Sequence, residues 1–256
     1  MSSVRDNSID KAVDEKFERA LHLATEEAKQ QTIGRLSEKM LHRTIKYYFE
    51  PDEKYHEVSF LGSVADVKHE NRIYEIQTRS FDKLSRKLEK FLAECNVSVV
   101  YPLVTERTLV WISEENGETV SERKSSKRGR PSDFLSELAR IPKLVEREGL
   151  DFIILPVAVH EYRLLNGYGK DKKKRAEHLE IIPDSFGDPI SVSSVASVSR
   201  LLPSELASTF TAVEFCRAMR LRGIKASLTL RALVGLGIFE KIGKRGNAFI
   251  YKRSDF

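Results

Sequence analysis

The sequence predicts an α/β protein, with a mixed β-sheet core flanked by helices and then a smaller, basic module. Three observations predict it. Short runs rich in β-branched and aromatic residues alternate with stretches of helical periodicity, the pattern of strands and helices sharing one core. The stretch YHEVSFLGSVADVKHENRIYEIQTRS, from Tyr55 to Ser80, reads as an antiparallel hairpin and runs straight into an amphipathic helix. Charge is divided unevenly: Thr211 to Phe256 holds ten Lys and Arg against three acidic residues, a balance of +7, while the remainder comes to −2.

At 256 residues the chain is long enough for one large or two modest domains. Its 41% hydrophobic and 32% charged residues suit a soluble globular protein, and no run approaches the length of a membrane span. The first thirty residues mix acidic and basic groups with helical periodicity, unlike a secretory signal. Cys95 and Cys216 stand far apart, as expected of reduced thiols in a cytoplasmic protein. The six histidines have no cysteine partners at zinc-site spacing.

In chain order, Ile9, Val13, Phe17, Leu21, Ala24 and Ala28 mark a helix ending near Gly34. LSEKMLHRTIKYYF is a second helix with Leu36, Met40, Leu41, Ile45 and Tyr48 inward, and Pro51 prevents its continuation. HEVSFLGSVADV and IYEIQT then form the hairpin across the polar turn KHENR. After it, Phe81, Leu84, Leu88 and Phe91 or Leu92 give a helical face, with Lys83, Arg86, Lys87 and Lys90 assigned to the exposed side. VSVVYPL and RTLVWIS read as two buried strands separated by a turn, so the hairpin, helix and strand form a crossover between parallel neighbours. SERKSSKRGRPSD reads as a basic loop, residues 132–148 as a helix, LDFIILPVAVHEYRLL as a buried strand, and NGYGKDKKKRAE as a second basic loop. AEHLEIIP is one more strand, and ISVSSVASVSRLL a helix with a Val192, Val195, Val198, Leu202 stripe that Pro203 ends. The boundary is set so that residues 1–190 form the first domain and 191–256 the second.

The chemistry concentrates in the hairpin. Asp66 ends its first strand where a twisted pair brings it near Glu75 on the second. Period-2 geometry gives Glu75 and Gln77 one face. Two carboxylates converging beside an apolar sheet repel each other unless a cation sits between them, and hard oxygen ligands suit Mg²⁺ or Mn²⁺. Glu38 and His42, four apart, share a face of the preceding helix.

This order of elements resembles the PD-(D/E)XK, or restriction-endonuclease-like, nucleases: an acidic residue on a helix, an Asp, then Glu-x-Lys across a hairpin, then an amphipathic helix. The matching positions are Glu38, Asp66 and Glu75-Ile76-Gln77. EIQTRSFDKLSRKLEKFL also resembles a prokaryotic group of that superfamily with a C-terminal winged helix. The resemblance implies a restriction-endonuclease-like sheet, a divalent ion held by Asp66, Glu75 and Glu38, and a catalytic role for position 77. There the chain departs from the pattern, since Gln77 stands where Lys is usual.

In the C-terminal module, Thr211 and Glu214 form a capping-box pattern, with Phe210 and Phe215 spaced for a hydrophobic staple. Gly223 ends that helix, Ser227 caps a second one through about Val234, and IFEKI-GKRGN-AFIYKR is a hairpin. Helix, turn, helix and basic β-wing is the winged-helix arrangement. Lys225, Ser227, Thr229 and Arg231 would face a DNA groove, while Lys244 and Arg245 on the wing reach phosphates. Leu228, Leu230, Leu233, Val234, Phe239 and Phe249 are core. A winged helix can also serve protein contacts, so a homodimer stays open. Three functions fit: a metal-dependent DNA endonuclease, a DNA-binding protein on a nuclease-like fold without activity, and a transcriptional regulator.

Overall fold

The computed structural model describes residues 3–30, 40–78, 80–166 and 177–255, leaving aside the side chains of 3–14 and 30. The expectations for Gly34, Leu36 and Glu38, and for 167–176 of the second basic loop, therefore lie outside the described residues. The protein is a mixed α/β structure with one large sheet flanked by helices and a second, three-stranded sheet.

Helix α1 (Ser3–Gln30) packs along α2 (Met40–Phe49). Burial reaches beyond the apolar stripe of α2, because Arg43 and Lys46 are also buried. Their charges are answered by Glu27 at 3.3 Å and Glu57 at 2.9 Å, as buried ions require. Next come β1 (His56–Phe60), β2 (Ser63–His69) and β3 (Arg72–Ile76). The expected first strand of the hairpin is thus two strands. Leu61 (φ 50°) and Gly62 (φ 70°) form a two-residue turn between the paired Phe60 and Ser63, the left-handed geometry that matches strand twist. The β2–β3 pair is antiparallel, as the sequence predicts.

A short helix, α3 (Ser85–Phe91), leads to β4 (Asn96–Ser113), which pairs parallel with β3. Here one 18-residue strand replaces the two expected, and the break at Thr105 is a register shift between Val104 and Glu106, with no turn. Pro102 is tolerated because it faces the side where β3 has already ended: Val100, two residues earlier, accepts the last bond from Gln77 N. The exposed strand β5 (Thr119–Lys124) takes up part of the expected basic loop and pairs with β4. The helix expected over 132–148 shrinks to α4 (Phe134–Leu138), with single 3-10 turns before it and at Pro142–Leu144, since Pro142 cannot donate within a helix.

Strand β6 (Leu150–Leu165) runs parallel to β4, and β7 (Glu177–Phe186) pairs antiparallel with its far half. Val192, expected in a helix, lies in β8 (Ile190–Val192) on the β6 edge. Helix α5 (Val195–Arg200) then starts behind a Ser194 cap. The sheet order is β1-β2-β3-β4-β6-β7, with β5 and β8 attached to β4 and β6.

The remaining elements are β9 (Thr209–Thr211), α6 (Ala212–Met219), α7 (Gly223–Gly235), β10 (Phe239–Arg245) and β11 (Ala248–Arg253), with sheet order β10-β11-β9. The Thr211–Glu214 capping box is present, and Phe210 meets Phe215 at 6.0 Å between ring centroids. Arg220 (φ 53°), however, ends α6, and Gly223 opens α7, so Ser227 lies inside that helix and does not cap it. Phe249 is partly exposed, under the Lys241 ammonium, and not in the core.

Consecutive strand residues feed two apolar cores. Ile73, Val97, Val99 and Phe152 pack with α3, α4 and onward into Val198, Leu202, Phe210 and Phe239. Ile76, Val100, Leu155 and Val157 pack against Phe17, Ala24 and Ile45 of α1 and α2. Among the described residues, no helix is long and apolar enough to cross a membrane.

Candidate active site

Asp66 and Glu75 come together where β2 and β3 part. The ladder between these strands stops at Val67 and Tyr74, and the next rung would put the two acidic residues opposite each other, an unfavourable like-charge pair. Side chains replace that rung: Asp66 Oδ2 accepts from Ile76 N at 2.7 Å, and Glu75 Oε1 accepts from Asp66 N at 3.4 Å. Helix α3 then delivers Lys87, whose Nζ is 2.5 Å from Glu75 Oε2. From α2, His42 Nε2 lies 3.4 Å from Asp66 Oδ2.

Glu75 is 3% exposed, and its carboxyl is pushed up to about 7 by burial and by the Asp66 charge, against the pull of Lys87. For Asp66, burial works in the same direction, but His42, Lys87 and the Ile76 amide outweigh it and hold the carboxyl below its ordinary value. The site thus separates two carboxyl groups by affinity for a proton. A raised carboxyl binds its proton more tightly in the folded state, so Glu75 costs stability as pH climbs from its ordinary value, 4.5, to about 7. In metal-free buffer, wild type should lose thermal stability relative to Glu75→Gln across that window. Parallel melting profiles from pH 4 to 8 would contradict this.

Gln77 is placed differently from the expectation. Its backbone extends the β3–β4 pairing, and its Nε2 donates to Ser80 O at 2.7 Å. The side-chain amide thereby fixes the turn ahead of α3. The positive charge comes instead from Lys87, a residue expected on the exposed side of its helix. Glu38 lies outside the described residues. Among those described, no three His, Cys, Asp or Glu side chains form a group that could hold a metal.

The expected nucleic-acid contacts fall into two sets. Ser227 and Arg231 on α7 and Lys244 and Arg245 at the hairpin are exposed. Lys241 joins the hairpin pair, with Nζ 3.2 Å from the Phe249 ring centroid. Thr229 does not face outward. It is fully buried, and its Oγ1 donates to Lys225 O at 2.8 Å, as a β-branched hydroxyl in a helix commonly does. Lys225 is engaged by Glu137 of α4 at 3.2 Å.

The fold and this site define a mixed α/β protein carrying a buried pair of unlike carboxyl groups and a lysine at a strand divergence. The chain belongs to the family described as a domain of unknown function (DUF8091), whose model matches residues 39–193. That span takes in both carboxylates and Lys87. The chain is also similar to an uncharacterised protein of Treponema pallidum (strain Nichols), 28% identical over 223 residues, covering 87% of this chain and 88% of that protein. No solved structure matches.

Proposed function

We propose that this protein is a metal-dependent deoxyribonuclease on a restriction-endonuclease-like core, holding DNA through a C-terminal winged helix. The observation that carries the reading is the convergence of Asp66, Glu75 and Lys87 where β2 and β3 part. The donor set suits Mg²⁺ or Mn²⁺: carboxylate oxygens are hard ligands, and a cation beside the pair would offset both the burial and the Asp66 charge that raise Glu75. Asp66 and Glu75 would hold the ion, with Glu38 as the third ligand that the family resemblance implies. A divalent ion bound there would polarise a phosphodiester and lower the pKa of its water. Lys87 gives the fixed positive charge that Gln77 lacks, available to a phosphate whose charge grows during cleavage.

DNA binding is supported by the order β9, α6, α7, β10, β11 and the sheet order β10-β11-β9, which suit a winged helix. In this reading α7 meets the groove through Ser227 and Arg231, with Lys225 joining when it leaves Glu137, and the wing lysines and Arg245 reach phosphates. Lys244→Ala with Arg245→Ala should weaken duplex binding for all sequences and flatten its salt dependence by about two charges. Unchanged affinity and slope in fluorescence anisotropy would remove the wing from the interface.

A second reading, a DNA-binding protein or transcriptional regulator without cleavage, is favoured by the amide at Gln77 and by the lack of a third acidic ligand among the described residues. Calorimetry with Mn²⁺ and cleavage assays on linear, branched and single-stranded DNA separate the two. Binding of the ion with cleavage supports the nuclease. Neither, in wild type and in Gln77→Lys, leaves the second reading.

A further inference from the structure

We propose that a cavity of about 430 Å³ between the main sheet domain and α6 binds a small phosphate-bearing ligand of nucleoside monophosphate size. Its walls join Arg130, ahead of α4, to Arg217 and Arg220 at the end of α6, over a floor that includes Leu206 and Phe210. Charged side chains dominate the lining beside Leu206, Ala207, Phe210 and Ala218, which suits a charged small molecule, and the volume lies in the usual range for a ligand site.

The guanidinium groups are in different states. Arg130 donates through both terminal nitrogens to Ala218 O, at 3.2 and 3.3 Å, which covers a carbonyl near the negative end of α6. Among the described residues, the Arg217 and Arg220 side chains form no hydrogen bond or ion pair, and Arg217 only feels the charge of nearby Glu214. Two carboxylates, Glu205 and Glu214, also border the cavity. Glu214 Oε2 is committed to capping α6, accepting from Thr211 N at 2.6 Å and Thr211 Oγ1 at 2.9 Å. The cations therefore exceed the carboxylates, and two of them keep their donors for an anion. Guanidinium forks match phosphate oxygens in geometry as well as charge.

Arg220 gives a second, independent indication. It sits at φ 53°, a left-handed helix end where glycine is the usual residue because it has no Cβ to clash. An arginine kept in that conformation projects a charged side chain into the cavity, and a residue at an unfavourable backbone angle is a reason to look for a task. A small ligand fits better than a DNA backbone, because the site is concave and joins Arg130 of the main sheet domain to the end of α6.

Isothermal titration of the full chain with AMP, inorganic pyrophosphate and uncharged adenosine tests the site. AMP and pyrophosphate should bind and adenosine should not. Arg220→Gly should weaken AMP by about tenfold or more, the scale of lost charged hydrogen bonds. That variant places glycine at a glycine-favouring angle, so folding is safe and the melting temperature should hold or rise. Lys244→Ala, a change outside the cavity lining, should leave AMP unaffected. No heat with either phosphate compound, or equal AMP affinity in Arg220→Gly, overturns the proposal. So does a result in which Arg220→Gly weakens a 12-base-pair duplex but no small phosphate binds, which would make these arginines part of the DNA face.

Discussion

Asp66→Ala and Glu75→Ala should each abolish Mn²⁺-dependent cleavage of DNA while the chain stays folded. Both carboxylates sit at one divergence of two strands, so either loss removes half of the described donor set for the ion. Folding should survive for different reasons in the two variants. Removing Glu75 deletes a buried carboxyl whose charge is already disfavoured, although it frees Lys87. Removing Asp66 leaves Ile76 N without its acceptor, a cost of about 1–3 kcal/mol if the amide stays dry. Asp66→Asn keeps an acceptor oxygen for that amide and so separates lost chemistry from lost structure. Lys87→Ala should lower the rate by about 10²- to 10³-fold, the scale for removing one stabilising donor at a developing charge. Cleavage rates with circular dichroism and melting curves are the measurements. Wild-type cleavage in either alanine variant, with metal binding intact, would remove the pair from the active centre.

The largest stability loss is expected at Phe81. Its ring is fully buried and lies 5.9 Å from Phe134, 6.0 Å from Tyr101 and 6.3 Å from Phe152. It joins the turn after Gln77 to β4, β6 and α4. Phe81→Ala should cost about 3–5 kcal/mol through lost burial and the cavity left behind. Because the same turn leads into α3, Lys87 should lose its fixed position too. Urea unfolding measures the first effect. A loss below about 1 kcal/mol would mean that neighbouring rings collapse into the space.

Much of this arrangement was legible because it rests on local rules. The meeting of Asp66 with Glu75 follows from strand pairing, and the Thr211–Glu214 cap from a four-residue pattern. Lys87 was also readable in principle. It stands three residues after Leu84 and four before Phe91, inside the apolar stripe of its helix, where a lysine needs a buried partner. Thr229 falls on the inward side of α7 by the same periodicity. Other features depend on tertiary pairing that no local pattern announces. The bulge at Thr105 lets VSVVYPL and RTLVWIS continue as one strand only because β6 is present along both halves. The early end of α4, ahead of Pro142, was visible as a proline.

The long β4–β6 ladder also governs how the chain reaches this structure. Val97 meets Leu150 and Ser113 meets Leu165, so every rung closes a long loop before any bond is returned. Loop-closure entropy of this kind slows folding, whereas β1, β2 and β3 meet across tight turns. The strands bearing Asp66 and Glu75 can therefore pair early, but β4, whose Val99 lies beside Glu75, takes its place in the sheet with the slow step. During refolding, Glu75 should titrate as an ordinary solvated carboxylate until that ladder closes, and only then acquire its raised proton affinity.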